Sequence, residues 1–520
     1  MASDRSPAMR ISALAAGFVM ASVDATVMQI AGATIQQRLD APLARLTWAV
    51  DGYVLAFAAL LMLAGGLAGR LGARRAYLWG MAVFFAASLA AALAPAIGVL
   101  IAARIVQGVG AALFMPSSLA LLLREFPDPR GRTRVLGLWS AIVSASFALG
   151  PTVGGVLVGA FGWRSIFLIN LPFGIAGMVL TRRFITAAPG RPASLGVPGH
   201  ALLVAGLAAL SFTLIEGPHQ GWVSPPVLAA AGVALVTVLL LPLRERRARI
   251  TVMPWTMFRD RPFTGANAVG LLFNAAFYGT LFLAGLYFQH AAGAGPLRAG
   301  LQILPLTVFI PLSNLAFARL SARIPNGPLL TGALLLAAAA SFALTGITPA
   351  SPYWATGAAL AVTGIAGGIV SPAMTAVMVD AAGPENGNVA GSVLNTGRQV
   401  GTLIGIAAIG AVLGASSGWT TGATIAFALI GTSYVIAAGI AWRLITAEPA
   451  RRSRDHPTTT GQAAKAWSQT VIANASHGHP AGSGGSTGSA TCTTTARARR
   501  GTRHADREPV REPWRSSRTC

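Results

Sequence analysis

The sequence predicts an all-α membrane protein built as two six-helix halves with two further helices between them. Three observations carry this. Of 520 residues, 54% are hydrophobic and 11% charged, at a mean hydropathy of +0.61, whereas about a quarter of a soluble domain's residues are charged. Apolar segments long enough to cross a bilayer, which takes about 20 residues, recur along most of the chain. Glycine and proline patterns of the first part return, in the same order, in the second.

The first apolar segment follows the polar residues 1–10 and runs to about Ile35. It contains Asp24, which makes it a poor core for a cleaved signal peptide, so it is read as a retained helix. Further segments lie near 48–69, 76–96, 98–122, 135–160, 166–185, 200–216, 226–243, 263–289, 299–318, 328–346, 353–379, 389–413 and 420–443, which makes fourteen spans. An even number places both termini on one side. Loops after even-numbered segments carry Arg70, Arg74 and Arg75, then Arg124, Arg130, Arg132 and Arg134, then Arg182, Arg183 and Arg191, with Arg244 to Arg261 and Arg319 and Arg323 further on. Loops on the other face hold Arg38, Arg45, Arg164 and Arg298. The positive-inside rule then puts both termini in the cytoplasm, in a multi-pass cell-membrane protein.

The net charge of +23 therefore reads as a topology signal and not as a nucleic-acid footprint. From about Ala450 the composition turns to Ser, Thr, Gly, His and Arg without periodicity, as in a disordered cytoplasmic tail. Cys492 and Cys520 both fall there, so the membrane part carries no disulfide and no cysteine-based metal or redox site. The expected division is 1–190 for the first half, 191–250 for a two-helix insertion, 251–449 for the second half and 450–520 for the tail. No cofactor or metal is expected: the seven histidines are scattered, and Gly108-x-Gly110 lies inside an apolar helix with no strand before it.

The repeat is specific. Gly108 and Pro116 in the fourth segment have the spacing of Gly364 and Pro372 in the twelfth, and Ser146, Gly150 and Gly155 in the fifth match Gly401, Gly405 and Gly410 in the thirteenth. Paired halves in one direction through the membrane are a secondary-transporter design with a site at mid-membrane. Within the fifth segment, Ser146, Gly150, Gly154 and Gly155 allow close helix packing, and Pro151 removes a backbone donor and bends the helix. The thirteenth lacks the proline, so the bend belongs to the first half alone, which suits a gate.

Asp24 falls near mid-bilayer, where a carboxylate must bind a proton, a cation or an arginine, or else serve as a structural partner for a polar neighbour. Arg104, in the fourth segment, has Leu360 as its repeat equivalent, so packing symmetry does not demand an arginine; it can serve proton coupling or act as an anchor. Asp51 is the third candidate for proton coupling, with simple hydration as the alternative. Arg398 either pairs with an acid or snorkels to the interface. Gln29, Gln107, Asn274, Phe277, Asn395 and Arg398 are candidates for the substrate cavity, with aromatic residues such as Phe277 as walls for a lipophilic or cationic compound.

The chain resembles the major facilitator superfamily, specifically its fourteen-spanner drug:proton antiporters (the EmrB/QacA type), over residues 10–445. Asp24-Ala-Thr26-Val-Met-Gln29-Ile-Ala31 looks like the family's first-helix signature, with Gln29 in place of asparagine. Leu100-x-x-x-Arg104-x-x-Gln107-Gly108-x-Gly110 is similar to its fourth-helix motif, and Ser146 to Gly155 to the fifth-helix motif associated with antiporters. Gly162-Trp163-Arg164 through Asn170-x-Pro172, and Asn395-x-x-Arg398-Gln399-x-Gly401, also look like family segments. The cytoplasmic loop motif is present as Gly65, Arg70, Gly72, Arg74 and Arg75, but Gly69 stands where an acid is usual. The resemblance implies a monomeric, proton-coupled efflux antiporter for small lipophilic or cationic compounds, with protons and the lipid bilayer as its other partners; a metabolite symporter or uptake carrier is the alternative.

Overall fold

A computed structural model describes residues 7–126, 129–187, 189–190, 196–245, 255–383 and 387–447; the expected tail, 450–520, lies outside them. Among the described residues the regular structure is helical, and fourteen helices are long and apolar enough to span a membrane. The first half comprises α1 (Pro7–Arg38), α2 (Leu43–Leu71), α3 (Ala73–Ala92), α4 (Ile97–Glu125), α5 (Pro129–Phe161), the short α6 (Ser165–Leu168) and α7 (Asn170–Phe184). Next come α8 (Val197–Gln220) and α9 (Pro225–Glu245). The second half is α10 (Arg261–His290), α11 (Pro296–Ser321), α12 (Asn326–Ala343), α13 (Tyr353–Ala382), α14 (Gly387–Ala415) and α15 (Trp419–Ile440). Because α6 and α7 share the sixth span, α10 to α15 are spans nine to fourteen.

Local chemistry sets the helix ends. The second span begins at Leu43, five residues before the apolar run, because Pro42 is extended and Thr47 donates its hydroxyl to the carbonyl of Leu43. The third ends at Ala92, before Pro95, whose ring disfavours helix in the residue preceding it. Asp260 caps α10 by accepting from the amide of Phe263 at 3.0 Å. Gly72 joins α2 to α3 as a single residue at φ +84°, a conformation open to glycine at little cost.

The pairings of the first half return in the second. α2 packs on α4 as α11 packs on α13, α1 on α5 as α10 on α14, and α1 on α7 as α10 on α15. The repeated glycines mark equivalent points: a β-carbon on Gly108 would collide with the carbonyl of Tyr53 in α2, and one on Gly364 with that of Leu306 in α11. α8 packs on α2 and α14, at the seam where the halves meet, and α9 packs on α8. On α9, Leu235, Val238, Leu239 and Leu243 are exposed, as expected of a lipid-facing surface.

Candidate functional site: a buried ion pair and an inter-half crossing

Asp24 sits at the middle of α1 and Arg104 in the first third of α4, and the fold brings them together. Both are buried, at 2% and 1% exposure, and a guanidinium Nη1 of Arg104 donates to Oδ2 of Asp24. The same Nη1 donates to Oε1 of Gln107 at 2.9 Å, and Nε donates to the carbonyl of Ala49 in α2 at 3.2 Å. The other carboxylate oxygen, Oδ1, accepts from Gln107 Nε2 at 3.3 Å and Asn170 Nδ2 at 3.2 Å. Ser88 of α3 closes the cluster, its hydroxyl accepting from Gln107 at 2.7 Å and Asn170 at 3.3 Å. The rings of Tyr53 and Phe167 cover the guanidinium, with centroids 4.5 and 5.9 Å from its carbon. Five polar side chains on four helices thus satisfy one another inside an apolar bundle. Removing one partner of such a pair costs about 3–5 kcal/mol, because the other is left charged and buried.

Ser88 is not among the residues that the sequence singles out, and Asn170 stands out only within a segment that resembles the family. The signal for Asn170 was a lone amide in an otherwise apolar run; a single serine in α3 gave none.

Asp51 stands apart. It lies on α2 one turn from Thr47, has no exposed surface, and neither carboxyl oxygen has a hydrogen-bond partner. Thr47 faces Gly410 of α14, so Asp51 lies on the side of α2 turned toward the other half. Gln29 is buried as well. Its side-chain oxygen has no partner, and its carbonyl lies against Gly285 of α10.

The small residues of α5 do two jobs. Gly150 and Gly154 pack on Thr26 and Val27 of α1, inside the first half, whereas a β-carbon on Gly155 would lie 2.8 Å from the carbonyl of Pro296 in α11. Reciprocally, a β-carbon on Gly300 of α11 would lie 2.5 Å from the carbonyl of Pro151. Ser146 donates back to the carbonyl of Ile142 at 2.7 Å. Pro151 has no amide to offer the carbonyl one turn earlier, and at that loosened turn Thr307 of α11 donates to the carbonyl of Ala148 at 2.8 Å. The repeat supplies the counterpart: Gly401 and Gly405 pack on Leu271 and Ala275 of α10, and a β-carbon on Gly410 would lie 2.7 Å from Thr47 Oγ1 across the halves.

All these inter-half contacts lie from mid-membrane to one end, the end opposite the arginine-rich loops. With them are Gln289 donating to the carbonyl of Ile30 at 2.9 Å and the ring contacts of Phe147 with Phe277 and Tyr278.

At the arginine-rich end, Gly65 has open space around it, and Arg70 and Arg75 are exposed. Arg74 donates to the carbonyl of Arg182 at 2.5 Å. Gly69 carries no acid; separately, Glu125 at the end of α4 pairs with Arg10 of α1 at 3.4 Å and accepts from the amide of Thr186 at 3.1 Å.

Of the cavity candidates, Gln107 belongs to the ion-pair cluster. Asn274 is buried and turns its amide back to the carbonyl of Gly270 at 2.7 Å, while Phe277 stacks on Phe273. Asn395 and Arg398 on α14 are partly exposed.

A family model described as Major Facilitator Superfamily matches residues 13–406. The chain is 60% identical over 445 residues to a methylenomycin A resistance protein of Streptomyces coelicolor, covering 86% of this chain and 94% of that protein. It is 41% identical to a methylenomycin A resistance protein of Bacillus subtilis over 435 residues, 84% of this chain and 93% of the relative. To the tetracenomycin C resistance and export protein of Streptomyces glaucescens it is 35% identical over 412 residues, 78% and 76% of the two chains. Matched along most of its length, and with fourteen apolar helices in two repeated halves, the chain belongs to the Major Facilitator Superfamily, among its antibiotic-resistance and drug-efflux carriers.

Proposed function

We propose that this protein exports an antibiotic-like small amphiphile across the cytoplasmic membrane in exchange for protons. The observation that carries the reading is the Asp24–Arg104 pair, buried near the middle of α1, with both carboxylate oxygens of Asp24 accepting hydrogen bonds. A proton arriving on Asp24 would weaken its tie to Arg104 while leaving the guanidinium its bonds to Ala49 and Gln107. α1 could then move against α4, with the guanidinium left on its neutral acceptors in α2 and α4. Asp51, buried without a partner on the side facing α14, is the second carboxyl available to take a proton.

In this reading both termini are cytoplasmic, and the halves 1–190 and 251–449 rock as units flanking the insertion 191–250. The contacts at Gly155, Gly300 and Gly410 form the closed outer gate, Pro151 gives α5 its bend, and the central space opens to the cytoplasm. The identity to two methylenomycin A resistance proteins makes methylenomycin A the first compound to try.

The test compares sensitive cells carrying the chain, Asp24→Asn or an empty vector. Cells with the chain are expected to survive methylenomycin A and accumulate less of it, and an uncoupler or Asp24→Asn is expected to abolish both effects. Protection that persists in the presence of an uncoupler would overturn the proton-coupled reading.

A further inference from the structure

Arg398 is a cation inside the second half without a counter-charge. It lies eleven residues into α14, about 16 Å along the axis, and its guanidinium forms no hydrogen bond or ion pair among the described residues. The acid that the described spans of this half contain is Asp380, which is exposed two residues from the end of α13.

The side chain does not reach back to the arginine-rich interface. α10 and α14 run parallel, with Gly397 beside Asn267, Gly401 beside Leu271 and Gly405 beside Ala275, so the backbone of Arg398 is level with about residue 268. Yet its Cγ lies 3.7 Å from where a β-carbon of Gly270 would stand, deeper in the membrane, and Tyr278 lies two turns further along the same helix. Tyr278 packs on Phe147 of the opposite half, with ring centroids 6.1 Å apart. The side chain therefore leans along α10 toward the stretch that carries Phe277 and Tyr278, which meet Phe147 of the opposite half to form an aromatic wall.

We infer that Arg398 is the anchor for a carboxylate on the transported compound, with the aromatic wall receiving its apolar body. This rests on the export reading and names its substrate class. An unpaired intramembrane cation is retained where a substrate or ion path needs it. A planar guanidinium matches a carboxylate with two parallel hydrogen bonds, whereas a phosphate monoester carries nearly two charges and would want a second cation. A cationic compound finds no acid to meet it: Asp24 is occupied by Arg104, Gln107 and Asn170, and Asp51 has no exposed surface.

The probe is 4-(1-pyrenyl)butyrate, compared with its uncharged amide, binding to the purified full-length chain in lipid nanodiscs and read by fluorescence. The carboxylate is expected to bind about ten- to a hundredfold more tightly than the amide, the range for a hydrogen bond to a charged group. Arg398→Gln is expected to erase that preference, with a cooperative thermal unfolding transition of the purified variant showing that it is folded. Arg398→Lys is expected to restore part of it. Equal affinity for acid and amide, or a preference that survives in Arg398→Gln, overturns the assignment. Uncoupler-sensitive protection of cells is a separate readout. If it fails while the carboxylate preference stands, export is wrong and the binding site remains; if it holds with no preference, the site is wrong and export remains.

Discussion

Replacing Gly300 by alanine should open the end of the molecule that this structure holds shut. The added β-carbon would stand 2.5 Å from the carbonyl of Pro151 and 3.4 Å from the Cα of Gly155. An ordinary carbon–oxygen approach is about 3.3 Å, so α5 and α11 must part by nearly 1 Å at their crossing. Both partners are backbone in packed helices and cannot step aside as a side-chain tip would. Overpacking of this kind costs about 1–3 kcal/mol, and the cost falls on the state closed at this end. At 1.4 kcal/mol per tenfold, the balance should shift roughly 5- to 150-fold toward the opposite state. Because Cys492 and Cys520 are the two cysteines and both lie in the tail, replacing them with serine leaves a clean background for spin labels at Gln37 and Trp354. Both positions are exposed at this end, one in each half. Pulsed electron–electron distance measurements should show a longer population growing in Gly300→Ala. An unchanged distribution would refute the claim that this crossing is the gate.

Three further outcomes follow from the same geometry. Arg104→Leu, which copies the residue at the repeat-equivalent position, should strand Asp24 and lower thermal stability by the equivalent of about 3–5 kcal/mol. Adding Asp24→Asn should restore most of that stability but no transport; a double variant no more stable than Arg104→Leu would argue against a direct pair. Asp51→Leu should raise the unfolding temperature, since it removes two unpartnered oxygens whose burial costs about 1–3 kcal/mol, while proton-driven transport is lost. A lower unfolding temperature would mean that Asp51 has a partner this geometry does not reveal. The carboxylate preference assigned to Arg398 is the fourth.

The spans were legible because long apolar runs broken by arginine loops leave few alternatives, and the starts and stops that moved, at Leu43 and Ala92, did so for local proline and threonine chemistry. The repeat was legible because glycine is demanded wherever backbones touch, as at Gly108 against Tyr53 and Gly364 against Leu306. What the sequence could not supply was helix rotation. In a helix apolar on all sides, no stripe says that Asp24 turns to Arg104 while Asp51 turns toward the other half, or that Asn274 turns back on its own helix. Partners distant in sequence were equally hidden: Ser88 and Thr307 look like any small hydroxyl in an apolar run until α3 and α11 are placed beside their neighbours.

The central claim is that movement of the compound and movement of protons are one event through Asp24. The direct measurement uses proteoliposomes of the full-length chain with a pH dye trapped inside, to which methylenomycin A is added without any imposed gradient. The account predicts a proton flux that starts with the compound, runs against it, and is absent in Asp24→Asn. Compound transport with no accompanying proton flux, or a flux of wild-type size in Asp24→Asn, would contradict it.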